Sequence, residues 1–440
     1  MQDTRRNFIR KTSLAAGALA AAPLISYGRN SILGANDRIN FAVLGIRSRG
    51  QAHRDSILVH KNTVVKTICD VDDRYFGDYS AKVEEKSGKK PIWEKDFRKV
   101  LEDKDIDVVT IATPEHWHAP MAIAALQAGK HVYIEKPCAH NPAESELLLE
   151  AQKKYGKLVQ MGNQQRSSGY TNRIIKKIHE GLIGEPYYGK AWYSNKRGSI
   201  GVGKEVPVPG YLDWELWQGP APRRPYKDNI HPYNWHWFWN WGTGETLNNG
   251  THEVDICRWA LQVDFPERIT ANGGRYHYQD DWEFYDTLIT NFDYGNKMIS
   301  WEGKSCNAAK FFGRGRGSQI VGTEGSVIMD RDGYVHMGNN GDVIEEHKAG
   351  QDDVSMGLIG GGPMTDAHFG NLIAGIRNGE KLNAPIDDAY IGVQLLLLSN
   401  IAWKTGDTLD INPANGHMLN KKYMRNYWGR EYEKGWELKV

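Results

Sequence analysis

Residues 39–70 read INFAVLGIRSRGQAHRDSILVHKNTVVKTICD, and the order of patterns within them decides the fold. Ile39 to Leu44 are an apolar run of strand length. GIRSRG, Gly45 to Gly50, follows as a turn, and Gln51 to His60 suit a helix. Thr63 to Cys69, TVVKTIC, form a second strand that ends at Asp70. Strand, glycine turn, helix, strand and acidic residue is the order that a dinucleotide needs. Its pyrophosphate rests on the dipole and free N–H groups of the helix N-terminus. Gly45 makes the tight turn, Ile46 and Arg47 offer backbone beside the phosphates, and Gly50 allows close helix–strand packing. Asp70 lies the expected ~20 residues beyond Gly50, where a carboxylate bonds the adenosine ribose and repels a 2′-phosphate. NAD is therefore expected over NADP. Arg47 stands where the three-glycine pattern has its middle glycine, and its guanidinium offers a phosphate contact instead.

The alternation continues outward. Phe97 to Leu101 suit a helix, IDVVTIA at Ile106 to Ala112 a strand, MAIAALQAGK a helix, HVYIEKP a strand, LLLEAQKKYG a helix and KLVQMGNQQR a strand entering a loop. Strands alternating with helices predict a parallel, doubly wound α/β Rossmann domain over residues 37–163. Such sheets bind ligands at the carboxyl ends of their strands. Asp70, Thr113-Pro114, Glu135-Lys136 and Asn163-Gln164 all fall there, and all are candidate cofactor residues. His116 and His118, on either side of Trp117, are expected to line the nicotinamide pocket. No acidic third ligand accompanies them, so no metal site is assigned.

Beyond Arg166, a helix TNRIIKKIHEGLIG and a strand PYYGKAWYSN open a second region, 164–410. Strands are predicted around RITANGGRY, FYDTLITNFDY, NKMISWEG, SQIVGTEGSVIMD and YVHMG, with antiparallel turns at DYGN and TEG. Helices are predicted at FGNLIAGIRNG and from Asp388 to Thr405. Gly313, Gly315 and Gly317 alternate with Arg314 and Arg316 and read as a flexible basic loop. Seven of the fifteen Trp lie from Trp192 to Trp241. Aromatic faces stack on the CH faces of sugar rings while polar neighbours fix the hydroxyls. Arg166, Tyr193, Arg197, His231, Trp235 and His236 are thus candidate substrate residues, although any single Trp of this stretch is expected to pack a loop against the sheet. Residues 411–440 read as a C-terminal arm over this surface or over a partner subunit.

Two longer stretches resemble one family. TPEHWHAPMAIAALQAGKHVYIEKP, Thr113 to Pro137, and GTGETLNNGTHEVDICRWAL, Gly242 to Leu261, are similar to segments of the glucose-fructose oxidoreductase, inositol dehydrogenase and rhizopine-catabolism (Gfo/Idh/MocA) family. The resemblance spans roughly residues 38 to 410. It implies a Rossmann domain followed by an α+β domain on a large, mostly antiparallel open sheet, NAD or NADP as cofactor, and sugars or polyols as substrates. It implies that Lys136 orients the substrate hydroxyl, and that His252 serves as acid or base and touches substrate. The family's aspartate four residues before that histidine is Asn248 here, which alters the usual proton relay. Homodimers or homotetramers are common in the family.

Composition sets the outer limits. Lys plus Arg number 55 against 54 Asp plus Glu, so no basic excess points to nucleic acid. Cys69, Cys138, Cys257 and Cys306 are far apart and form no zinc-type spacing. TRRNFIRK followed by the apolar LAAGALAAAPLI reads as a twin-arginine-type export signal over residues 1–36. That run is too short to span a bilayer, so an exported, periplasmic protein without a membrane span is expected. Little free NAD circulates there, so a tightly held cofactor is expected. Three activities fit: an NAD-dependent sugar oxidoreductase; a redox-neutral NAD-dependent glycosidase that oxidises, eliminates, adds water and re-reduces; and a non-catalytic sugar-binding protein.

Overall fold

A computed structural model describes residues 38–349 and 362–440, so the export signal read at residues 1–36 lies outside the described residues. The opening stretch folds as its pattern predicts. β1 (Ile39–Leu44) leads into α1 (Arg49–Leu58) and β2 (Thr63–Cys69), followed by α2 (Phe76–Ser87), β3 (Ile92–Glu94) and α3 (Phe97–Glu102). β4 (Val108–Ile111), α4 (His118–Gln127), β5 (His131–Ile134), α5 (Pro142–Tyr155) and β6 (Val159–Met161) complete this half. The six strands are parallel, in the order β3-β2-β1-β4-β5-β6. β1 and β4 are buried on both faces, which is why they read as mostly apolar stretches rather than alternating ones. α5 starts on an Asn141 cap and ends at Gly156 in the left-handed conformation, so its limits were set by local chemistry.

The second sheet has nine strands in the order β14-β13-β12-β11-β7-β10-β9-β8-β15. After α6 (Gly169–His179), β7 (Pro186–Ser194) comes first in the chain yet lies in the middle of the sheet. α7 (Trp214–Gln218), α8 (Gly244–Asn248) and α9 (Gly250–Leu261) follow, then β8 (Arg268–Gly274), β9 (Thr287–Asp293) and β10 (Met298–Lys304). β10 runs parallel to β7, and every other pairing in the sheet is antiparallel. β11 (Arg316–Gly322), β12 (Gly325–Asp330), β13 (Gly333–Gly338) and β14 (Val343–Lys348) form a meander. The supposed basic loop therefore ends in a strand: Arg316 opens β11, and Arg314 pairs with Asp330. α9 is almost wholly buried against β7 and β11. Gly189 permits that approach, since a Cβ there would stand 2.9 Å from the Cβ of Cys257.

The C-terminal elements tie back to the first half. α10 (Pro363–Asn378) packs on α1, and Phe369 stacks on Tyr133 of β5 with ring centroids 4.1 Å apart. α11 (Ile386–Thr405) covers β8 and packs against α5. Beyond β15 (Leu409–Asp410) and α12 (Lys421–Tyr427), the last residues return to the nucleotide half of the same chain. Arg430 pairs with Glu144 and donates to the carbonyl of His116, and Trp436 meets Trp117 edge to face.

Most of the tryptophan-rich stretch is core. Trp214, Trp217 and Trp241 pack together, with Trp214 stacked on Trp217 at 4.6 Å, and Trp237 stacks on Trp282 at 3.9 Å. Burying rings of this size contributes about 3 kcal/mol each, which holds an irregular chain without regular backbone pairing.

Candidate active site

One cavity of about 670 Å³ runs from the glycine turn to the facing sheet. Gly45, Arg47 and Asp70 line one end, Lys136, Asn248 and His252 the middle, and Tyr193, Arg316 and Arg331 the other end.

At the nucleotide end the backbone makes the cradle. Gly45 has φ +82°, and a Cβ there would stand 2.7 Å from the backbone of Ala112. A Cβ on Gly50 would lie 1.9 Å from the Gly45 carbonyl oxygen. Both glycines are obligatory, but Gly50 acts from behind the wall rather than on it. Ser48 takes φ +41° at the mouth of α1, a conformation that suits glycine. Arg47 reaches across the cavity mouth and donates to the Pro232 carbonyl at 3.0 Å. Asp70 accepts from the N–H groups of Ile46, Val71 and Asp72 at 2.8–3.0 Å. Burial raises its pKa, and those backbone bonds oppose the rise. Ile46 thus serves the site through its N–H while its side chain is core. Asp72 accepts from Arg74 at 2.6 Å and meets His231 Nε2 at 2.9 Å. Burial pushes its carboxyl up, but Arg74 and His231 hold it well below the usual range. His231, read from sequence as a substrate residue, therefore stands at the adenosine end. The two fixed glycines, the open helix N-terminus and the carboxylate after β2 fit a dinucleotide.

In the middle, Glu135 accepts from Arg49 at 2.8 Å and Gln164 at 3.2 Å, and meets His53 Nε2 at 3.0 Å. Burial would raise its pKa, but Arg49 and His53 keep it well below the usual range. Lys136 donates Nζ to the Asn248 carbonyl at 2.5 Å and stands 3.4 Å from Asn248 Oδ1. Burial lowers its pKa, against the pull of Glu135 and Glu115. Asn248 Nδ2 is enclosed with no hydrogen-bond partner among the described residues. His252, in the first turn of α9, faces the cavity. Burial first, then Arg331 and Lys136, holds it far below the usual histidine pKa, so its ring is neutral at pH 7.

Glu115 is the residue that sequence reading passed over. It lines the cavity, accepts from the Thr243 hydroxyl at 2.5 Å, and is pushed up to about 7 by burial, against Thr243 and the charge of Lys136. A carboxyl near neutrality beside a lysine can exchange protons at working pH. The signal was available. Glu115 and His118 are three apart around a single 3₁₀ turn, so they share a side, and both line the cavity. His116 turns away, is buried, and sets Nε2 2.9 Å from the Trp217 carbonyl.

At the far end, Arg197 donates to Glu245 at 2.6 Å and to the Tyr233 hydroxyl at 3.2 Å. Trp235 stacks on His236 at 3.6 Å, and burial lowers the His236 pKa to about 3. Tyr193, Trp235, His236 and Arg197 all line the wall, as do Thr113, Pro114, His118 and Gln164. Two further candidates do not. Arg166 is buried in ion pairs with Asp255 at 2.7 Å and Asp388 at 2.8 Å, a junction between α9 and α11. Asn163 is buried behind the wall with its side-chain amide unpartnered.

Comparison with known proteins places this geometry. Residues 39–163 match the family model described as "Oxidoreductase family, NAD-binding Rossmann fold", and residues 171–328 match "GFO/IDH/MocA C-terminal domain". The chain belongs to the Gfo/Idh/MocA family of NAD-binding oxidoreductases. Among curated proteins it is 28% identical over 211 residues to a "Glycosyl hydrolase family 109 protein" of Shewanella pealeana, covering 44% of this chain and 46% of the relative. It is 29% identical over 192 residues to an "Alpha-N-acetylgalactosaminidase" of Shewanella oneidensis, covering 41% of each. The chain thus matches less than half the length of these curated relatives. Among solved structures, a levoglucosan dehydrogenase in complex with NADH and levoglucosan aligns with TM-score 0.62 at 20% identity, over 85% of this chain and 99% of that one. At that identity the likeness is one of fold.

Proposed function

We propose that this protein is an NAD-dependent oxidoreductase that transfers hydride between a carbohydrate hydroxyl and nicotinamide. The observation that carries the reading is the single cavity joining the dinucleotide cradle to Lys136, His252 and the aromatic, hydrogen-bonding far wall. Bound nicotinamide supplies the hydride acceptor. Lys136 Nζ, held by the Asn248 carbonyl, orients the sugar hydroxyl. Neutral His252 takes the hydroxyl proton as the carbon loses its hydride, leaving a carbonyl and an imidazolium. Glu115, rather than the residue at 248, supplies the carboxylate that settles the charge on Lys136. Asp70 favours NAD over NADP, and the bridge from Arg47 to the segment at Pro232 favours slow cofactor release. Export by a twin-arginine-type signal and a homodimeric or homotetrameric assembly belong to the same proposal.

A second reading, the redox-neutral glycosidase, is favoured by the names of the curated relatives. In it the same groups oxidise the sugar, promote elimination of the aglycone, admit water and return the hydride. One experiment separates the two. Protein purified without added cofactor is denatured to quantify released NAD, and the native protein is assayed on aryl glycosides with no NAD supplied. Net NADH from free sugar only after NAD is added supports the dehydrogenase. Stoichiometric bound NAD with aglycone release and no net NADH supports the glycosidase.

A further inference from the structure

The charges on the cavity wall do not balance at its far end. Arg49 is matched by Glu135, Arg197 by Glu245 and Arg316 by Glu253. Arg331, in the turn between β12 and β13, lines the cavity and has no ion pair among the described residues. Its Nε is enclosed without a hydrogen-bond partner. Nη2 of Arg316 is enclosed and unpartnered too, although its Nε donates to Glu253 at 2.7 Å. An enclosed guanidinium without a counter-ion is costly, and such groups are normally paired. The Arg331 guanidinium, without an ion pair, and the unpartnered Nη2 of Arg316 are donors on one wall that suit a carboxylate.

We infer that Arg331 and Arg316 form a subsite for a carboxylate carried by the sugar, making the substrate a uronic acid or its glycoside. This rests on the reading of the cavity as a sugar site. Arg331 exerts the largest charge effect on His252, so a carboxylate there lies near the proton acceptor. Burial is the main cause of the low imidazole pKa, and the carboxylate's negative charge offsets the contribution of Arg331 to it, so uronate binding makes His252 a stronger base. A neutral hexose leaves the guanidinium unpaired and does neither.

The same anion chemistry is available from the dinucleotide's phosphates, so the test separates the two sources. Full-length protein is titrated with NADH by fluorescence. The NADH-loaded protein is then titrated calorimetrically with glucuronate, galacturonate and mannuronate against glucose, galactose and mannose. The expected result is that at least one uronate binds about 10- to 100-fold tighter than its neutral partner. Arg331→Gln abolishes that ratio, Arg331→Lys restores part of it, and NADH affinity stays within about 2-fold in both. Equal binding of uronates and neutral sugars overturns the proposal, as does an unchanged ratio in Arg331→Gln. So does a loss of NADH affinity in that variant as large as the loss for uronate, which would assign the anion to the cofactor. Failure of the unaltered protein, first freed of any co-purifying nucleotide, to bind NADH overturns the oxidoreductase reading instead, and the uronate ratio measured without cofactor then decides the subsite by itself. Thermal melting of both variants confirms that the fold survives.

Discussion

The two ends of the cavity are built on opposite plans. At the nucleotide end the carboxylates are answered by the protein itself, Asp70 by three backbone N–H groups and Asp72 by Arg74 and His231, as Glu135 is by Arg49 in the middle. At the far end Arg316 Nη2 and Arg331 Nε are left without partners, as is Asn248 Nδ2 in the middle. The first end is finished before a ligand arrives and holds it by a fixed shape. The second end is completed by what enters it. Preorganised sites bind with little further ordering, whereas an unsatisfied site discriminates, because the wrong ligand leaves its polar groups buried and unpaired.

The contrast is broken most severely at its middle. Lys136→Ala should lower kcat about 10³-fold, within the range for losing a positioned proton-handling group, while NADH affinity measured by fluorescence is retained. A loss of NADH binding instead would mean that Lys136 serves the nucleotide end. Asp70→Ala should weaken NADH about 10- to 100-fold and leave the affinity for sugar, measured on cofactor-saturated protein, unchanged. Coupled losses would merge the two ends into one unit.

Glu115→Gln sharpens the contrast through pH. A carboxyl raised from 4.5 to about 7 contributes stability that is fully present below 4.5 and is lost as pH rises through about 7. Urea unfolding across this window should therefore show a downward slope in the unaltered protein that flattens in Glu115→Gln. An unchanged slope would place the titrating group elsewhere. The smallest effect belongs to the glycine turn. Ser48→Gly relieves the left-handed φ of +41° and should raise stability by about 1 kcal/mol, the gain being offset in part by chain entropy. Denaturant midpoints at constant m-value check it.

The same division governs what could be read from the chain. The nucleotide end is nearly contiguous, its strand, turn, helix and carboxylate falling within residues 39–70. Each position there answers a local requirement, and the reading was correct in element type and order. The rest of the cavity is assembled from the 3₁₀ turn at Glu115, the start of α9, the first residue of β11 and a hairpin turn at Arg331. No spacing in the sequence brings those together. Aromatic enrichment marked the segment, and the rings singled out in it, Tyr193, Trp235 and His236, line the cavity. Trp235 faces the cavity, whereas Trp237 and Trp241 are spent on packing, because a loop without backbone pairing needs its own core. Arg166 has the residue type of a ligand-binding group and the neighbours of a brace, and only the positions of Asp255 and Asp388 tell them apart.

The return of the C-terminal residues to the nucleotide half has a consequence in time. Tyr432 donates to the carboxylate of Glu144 across 288 residues of chain. At roughly 5–20 residues per second, a ribosome takes on the order of 15 to 60 s to make that interval. Until its end the nascent nucleotide half holds Glu144 without Arg430 and Tyr432, and for most of it Tyr133 lacks Phe369 above it. The half that reads as self-contained in sequence is thus finished last, after translation has delivered its fastening from the far end of the chain.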